Sequence, residues 1–148
     1  MLNNDYKEIL QLLLNEKVDF LLVGAYALAA HGYPRSTGDI DIWVKPSQEN
    51  AEKVYRVILK FGAPIYGLTQ DDLTKEDIVF QIGVAPRRID FLTSISGVEY
   101  PDAEKDKINV DIDGLHLPFI SLKKLIKNKE ASGRPKDIED VKKLKKHA

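Results

Sequence analysis

Apolar and polar positions in this chain switch repeatedly between a helical and a strand-like period, and the switches mark its elements. Ile9, Leu10, Leu13 and Leu14 recur at helical spacing behind Asn3 and Asn4, either of which can cap a first helix. Val18 to Val23 is short, branched and apolar, the signature of a buried strand. Gly24 ends it, and the small residues Ala25 to Ala30 favour a short helix that Gly32 and Pro34 stop. Ile40, Ile42 and Val44 then alternate with Asp39, Asp41 and Trp43, which predicts a second strand with one apolar face. A helix follows from Pro46-Ser47 to Phe61 with Val54, Val57 and Ile58 facing inward, and Gly62 closes it.

Beyond a looser stretch, where Gly67 to Asp72 is expected to form a single turn, Ile78–Val84 and Arg88–Thr93 read as two strands around Ala85-Pro86-Arg87. Asn109–Ile112 and Leu115–Ile120 read as a hairpin joined at Asp113-Gly114, a strong two-residue turn signal. Ser121 caps a helix to Ser132, Gly133 stops it, and Pro135 opens the last helix at its first turn. The pattern predicts an α/β (α+β) fold: a mixed β-sheet packed with helices and ending in a C-terminal helical pair. A length of 148 residues suffices for one hydrophobic core. A single domain is therefore expected, residues 1–119 forming the sheet-containing core and 120–148 the helices packed on it.

Composition narrows the chemistry. The formal charge is −1, which excludes a wholesale basic surface for nucleic acid. Residues 1–119 nevertheless carry 12 basic and 19 acidic side chains, whereas 120–148 carry 10 and 4. An acidic body with a basic tail suggests mutual docking, a ligand bridging the two, or simply a solvated lysine-rich helix face. The absence of cysteine removes disulfides, thiolate zinc sites and cysteine nucleophiles together. His31, His116 and His147 are too scattered to suggest a histidine-based metal site. No apolar run approaches the roughly 20 residues of a membrane span, and no export signal is visible, so a cytoplasmic monomer or small oligomer is expected.

Asp39-Ile40-Asp41 is the most informative short feature. Residues i and i+2 of a strand project to the same face, and two anions side by side are unfavourable unless they face water or share a cation. Oxygen-only ligands point to a hard ion such as Mg²⁺ or Mn²⁺. The chain contains its own control in Asp111-Ile112-Asp113, where the second Asp belongs to the turn Asp113-Gly114 and turn chemistry explains it. Two surroundings distinguish the first copy. Upstream, Val23-Gly24-Ala25 is a small-residue strand-to-helix junction suited either to close packing or to phosphate at free N–H groups. Downstream, Asp90 sits between Ile89 and Phe91 and points away from their face, either into a salt bridge with Arg87 or Arg88 or into a three-acid cluster. Three acids are the minimum for two metals about 3.5–4 Å apart in phosphoryl or nucleotidyl transfer.

These elements in this order resemble the polymerase-β-like nucleotidyltransferase superfamily. Its pattern is an apolar residue, Gly, then Gly or Ser, a spacer of about ten residues, an Asp-x-Asp strand and a third Asp on a later strand. Gly24-Ala25-Tyr26-Ala27-Leu28, Arg35 to Asp41, and Gly133 to Asp140 look most like small prokaryotic proteins related to abortive-infection (AbiEii-type) toxin nucleotidyltransferases. Ala25 stands where the family prefers Gly or Ser, leaving a backbone N–H but no hydroxyl. Arg35 lies four residues before Asp39, unlike the two-residue offset of minimal nucleotidyltransferases paired with helical toxins.

The resemblance implies the polymerase-β-like nucleotidyltransferase fold. It also implies a two-metal Mg²⁺ (or Mn²⁺) site on Asp39, Asp41 and Asp90, with Asp90 helping to deprotonate the acceptor hydroxyl. Gly24, Ala25, Arg35, Ser36 and Lys129 would bind the nucleotide. Lys129 has an argument of its own, because it falls on the buried stripe with Leu122, Leu125 and Ile126 and needs an anion there. Nucleotide phosphate and an acidic side chain of the body both qualify. The expected reaction moves a nucleoside monophosphate from an NTP such as ATP to a hydroxyl of a protein, a tRNA or a small molecule, with pyrophosphate released. A partner protein or a second copy could complete the acceptor surface. The alternatives are a catalytically inactive nucleotide-binding or toxin–antitoxin module on the same fold, and a metal-dependent phosphohydrolase or nuclease.

Overall fold

The computed structural model describes residues 2–33 and 38–146. Helix α1 (Asn4–Asn15) begins where the Asn3 side chain accepts the Tyr6 N–H, and it buries Tyr6, Ile9, Leu10 and Leu13. Strand β1 (Phe20–Val23) is buried throughout, and α2 (Gly24–Ala30) follows it without a linker. Strand β2 (Ile40–Val44) leads to α3 (Gln48–Phe61), which Ser47 caps and Gly62 ends in a left-handed conformation. A 3-10 turn at Asp71–Thr74 lies slightly downstream of the turn expected at Gly67–Asp72. Strands β3 (Val79–Ile82) and β4 (Ile89–Leu92) come next.

The segment before the hairpin contains α4 (Tyr100–Lys105), an element that the sequence pattern does not signal. Its six residues are too few for a helical period, and Pro101 in its first turn is the main local cue. Strands β5 (Ile108–Ile112) and β6 (Leu115–Phe119) form the expected hairpin, with Asp113 and Gly114 both at positive φ. Ser121 caps α5 (Leu122–Ser132), left-handed Gly133 ends it, and Pro135 opens α6 (Pro135–Lys145).

The six strands form one mixed sheet in the order β3-β4-β2-β1-β6-β5. Strand β2 runs antiparallel to β1 and parallel to β4, with Asp41 opposite Val23 on one side and Asp90 on the other. The two non-consecutive neighbours, β2/β4 and β1/β6, are both parallel. A continuous core joins the buried residues of α1 and α3 to Leu21, Leu22, Ile40, Ile42, Val44 and Phe91. The α5–α6 pair attaches to the turn after β4, where Asn128 donates to the Ser96 carbonyl and Gly97 leaves room for the Ala131 methyl. Among the described residues, no helix is long and apolar enough to cross a membrane.

Candidate active site at the β2–β4 edge

The parallel register of β2 and β4 builds a two-by-two array of charges. Ile40 is opposite Ile89 and Asp41 is opposite Asp90, so the alternating side chains Asp39, Asp41, Arg88 and Asp90 share one face. All three acids singled out from the sequence therefore lie on one face of the sheet, together with a guanidinium that the sequence reading treated as a competing partner. Arg88 takes Asp90 in a two-point ion pair, Nε to Oδ1 at 2.7 Å and an Nη2 bond to Oδ2 at 3.1 Å. It also lies 3.4 Å from Asp39 Oδ2, while its own backbone N–H donates to Asp39 Oδ1 at 3.0 Å.

Burial and like charge act together on Asp41. Desolvation, then the charge of Asp90 and a hydrogen bond shared with it, and then Asp39, push the Asp41 carboxyl up to about 6, against the opposing pull of Arg88. Asp90 itself is only 6 % exposed. Three carboxylates facing one guanidinium leave an excess of negative charge. The donor set is all oxygen, as a hard divalent cation prefers.

Among the described residues, however, no three His, Cys, Asp or Glu side chains are gathered as a ready-made metal cage. The closed three-acid cluster expected from the sequence is thus replaced by acids that share a face with Arg88 among them. Asp39 and Asp41 fit a hard cation directly. Asp90 is held by Arg88 in the two-point ion pair.

Backbone elements hold the array in place. Gly24, with φ of 65°, lies so close to Asp41 that a Cβ there would run into its carboxylate. The glycine thus makes room for a catalytic candidate as well as opening the backbone to a ligand. From α1, the Tyr6 hydroxyl sits between the carbonyls of Gly38 and Arg88, the latter at 3.1 Å, and fastens together the starts of β2 and β4. Burial, then Tyr26 and the charges of Asp39 and Asp90, push the Tyr6 hydroxyl up to about 12, so it stays protonated and able to donate.

A cavity of about 370 Å³ opens beside the acids. Gly24, Ala25, Asp39, Asp41 and Arg88 line it from the sheet side, and Lys129, Arg134, Lys136 and Asp137 bring the end of α5 and the start of α6 to it. Lys129 is 8 % exposed and binds Asp137 at 3.3 Å and Asp140 at 3.1 Å. Of the two anions open to it, a carboxylate is the one present, and it comes from α6 of the tail, not from the acidic body. Asp137 also accepts from Ser132 and Arg134. The acidic body and basic tail meet at Lys124, which pairs with Asp106.

Arg35 and Ser36 lie outside the described residues. Lys136, which the sequence reading did not single out, lines the cavity at the start of α6; its place beside Arg134 and Pro135 was the available signal. In the control motif, Asp111 pairs with His116 on the exposed hairpin, and Asp113 accepts the Leu2 N–H. In that second Asp-Ile-Asp both carboxylates are taken up by contacts away from the cavity.

Residues 2–148 match the family described as "Nucleotidyl transferase of unknown function (DUF2204)". Among solved structures, a Thermotoga maritima protein assigned as a nucleotidyltransferase superimposes with a TM-score of 0.60 at 22% identity. The alignment covers 99% of this chain and 94% of that one. The lincosamide antibiotic adenylyltransferase LnuA, in its lincomycin-bound form, also has a TM-score of 0.60 at 17% identity, covering 99% of both chains. At these identities the likeness is one of fold. No curated protein matches the chain.

Proposed function

The chain belongs to the DUF2204 nucleotidyl transferase family, and from that premise we propose that it moves a nucleoside monophosphate from an NTP to a hydroxyl acceptor. The observation that carries this reading is the shared face of Asp39, Asp41 and Asp90, the first two of which line a cavity with four cationic side chains. Acids alone would repel a triphosphate, and cations alone would bind one without activating an acceptor. Their juxtaposition suits a substrate that is anionic at one end and must lose a proton at the other.

In this reading Arg134 and Lys136 neutralise the phosphates, and Gly24 and Ala25 offer backbone N–H groups to them. Arg35 and Ser36, as the resemblance implies, also bind the nucleotide. Lys129 acts mainly by holding Asp137 and Asp140, which fixes the α6 start that carries Arg134 and Lys136. Arg88 exchanges Asp90 for phosphate, freeing Asp90 to accept the acceptor's proton. Mg²⁺ or Mn²⁺, held by Asp39 and Asp41 and joined by Asp90, would supply the charge neutralisation that the transferred phosphoryl group and departing pyrophosphate need. The acceptor oxygen bonds to the α-phosphorus, the bond to the β-phosphate oxygen breaks, and pyrophosphate leaves.

The test is incubation of the full chain with each α-labelled NTP, Mg²⁺ and a cell extract, followed by separation of protein, RNA and small molecules. Label transferred by the wild type and not by Asp41→Asn identifies the acceptor class. No transfer and no pyrophosphate release with any of the four NTPs would overturn the reading.

A further inference from the structure

Helix α1 lines no part of the acid-site cavity, yet one of its side chains reaches α2 and the starts of both β2 and β4. Tyr6 is fully buried, out of reach of any substrate. Its ring meets that of Tyr26 edge-to-face, with centroids 5.9 Å apart. Tyr26 belongs to α2, the helix that brings Gly24 and Ala25 to the cavity. The Tyr6 hydroxyl faces two carbonyls, those of Gly38 and Arg88. The first shares a peptide unit with the Asp39 N–H, and the second lies at the entry to β4.

Two carbonyl oxygens aimed at one spot repel each other unless a donor stands between them. The phenol is that donor. Arg88 is the residue on which the contacts close. Its carbonyl also accepts the Ile40 N–H at 3.0 Å, its own N–H donates to Asp39 Oδ1, and its guanidinium holds Asp90. Packing at this seam is close, since a Cβ at Gly38 would overlap the Pro86 carbonyl. The chain entering β2 and the turn entering β4 are therefore in backbone contact, with the Tyr6 hydroxyl between their carbonyls.

We propose that Tyr6 is a positioning residue for the acid site. By holding the Gly38 and Arg88 carbonyls together, its hydroxyl sets the spacing of β2 and β4 from which Asp90 joins Asp39 and Asp41 on a divalent cation. This assignment rests on the nucleotidyl-transfer reading. Spacing matters most for Mg²⁺, which demands near-octahedral oxygen ligands at about 2.0–2.1 Å, whereas Ca²⁺ accepts looser and longer geometry. Loss of the hydroxyl should therefore be felt by the smaller ion first.

The experiment compares the full chain with Tyr6→Phe, which keeps the ring and its contact with Tyr26. Ile58→Val, at a buried residue of α3 that lines no part of the cavity, controls for lost stability. Calorimetric titration with Mg²⁺ and with Ca²⁺, without nucleotide and below the melting temperature of each protein, is the first readout. Tyr6→Phe is expected to weaken Mg²⁺ binding roughly tenfold and Ca²⁺ binding much less. Pyrophosphate release is the second. There kcat should fall roughly tenfold to a hundredfold, while KM for the NTP stays near wild type because Arg134 and Lys136 on the tail are untouched. Ile58→Val should keep both properties.

Wild-type Mg²⁺ affinity in Tyr6→Phe, an equal loss for the two ions, or the same losses in Ile58→Val overturns the proposal. The two readings fail separately. A wild type that releases pyrophosphate and a Tyr6→Phe that releases it as fast would overturn the role of Tyr6 and leave nucleotidyl transfer standing. A wild type whose Mg²⁺ binding depends on Tyr6, but which releases no pyrophosphate with any NTP, would overturn the transfer reading and leave Tyr6 as the residue that shapes the cation site.

Discussion

The carboxylate of Asp41 occupies the space that a side chain at Gly24 would need. A strand residue and the first residue of α2 are thereby matched in shape, because β1 and β2 run antiparallel with Val23 opposite Asp41. The match makes Gly24 doubly restricted, by its φ of 65° and by the contact. Gly24→Ala is expected to lose about 1–3 kcal/mol of stability and most transfer activity, since Asp41 must move for the methyl to fit. Thermal melts together with a transfer assay on the folded fraction check this. Wild-type activity would mean that the position of Asp41 does not matter.

Asp41→Asn should abolish transfer while leaving the fold intact, because it keeps the size of the side chain and removes a charge that its neighbours disfavour. Asp111→Asn, in the control motif, should retain wild-type activity, since Asp111 serves an exposed contact with His116. Pyrophosphate release by both variants, with circular dichroism for fold, is the measurement. An active Asp41→Asn would remove the site assignment, and an inactive Asp111→Asn would show the wrong motif had been chosen.

Much of this was legible in the chain because its signals are local. Asn3, Ser47 and Ser121 cap helices where their spacing to the apolar stripe predicts, and the Asp113-Gly114 turn fixes its hairpin. Alternation alone put Asp39 with Asp41 and turned Asp90 away from Ile89 and Phe91. Pairing between distant strands was not legible. That Arg88 lies beside Asp39 depends on a parallel register between β2 and β4, which nothing local encodes. The cost of burying Lys129 was plain from its place on the α5 stripe. Its partners were not, because Asp137 and Asp140 reach it only after the chain reverses at Gly133. The α4 helix escaped because six residues carry no period.

Lys129 neutralises two buried carboxylates, so replacing it should cost more than a surface lysine would. Lys129→Met is expected to lose about 3–5 kcal/mol, because Asp137 and Asp140 lose the buried cation they share, Asp137 keeping Ser132 and the exposed Arg134. Lys129→Met combined with Asp137→Asn and Asp140→Asn should recover much of that loss, since the buried negative charges that Lys129 offset go as well. Urea denaturation of the two variants tests the point. Equal stability of Lys129→Met and wild type would mean the cluster contributes nothing.

The same cluster sets a pH response. Burial opposes ionisation of Asp137, but hydrogen bonds from Ser132 and Arg134 and the charge of Lys129 override it and hold the carboxyl below its ordinary range. A carboxyl lowered in the folded state adds stability that is fully present above its unfolded value, about 4, and is lost as pH falls through the lowered one. The melting temperature of Asp137→Asn should therefore lie below wild type at pH 7, with the gap narrowing steadily toward pH 3. A gap independent of pH would assign the effect to packing instead of charge.

Arg88 yields the last prediction, which concerns metal. In the metal-free protein its guanidinium is the cation facing Asp39 and Asp90, and Asp41 adjoins the pair. Arg88→Met removes that charge and leaves the acids to repel one another, so its melting temperature in EDTA should fall below wild type. A cation that binds the native state raises stability according to its affinity there, and on the proposed function Mg²⁺ is such a cation. In wild type the ion must compete with Arg88 for Asp90, whereas in the variant Asp90 is free and the local field is more negative. The gain in melting temperature on adding Mg²⁺ should therefore be larger for Arg88→Met than for wild type, and Asp90→Asn in the variant background should erase the difference. Equal gains in both proteins would place the metal away from Asp90 and remove the exchange of Asp90 between Arg88 and the cation from the mechanism.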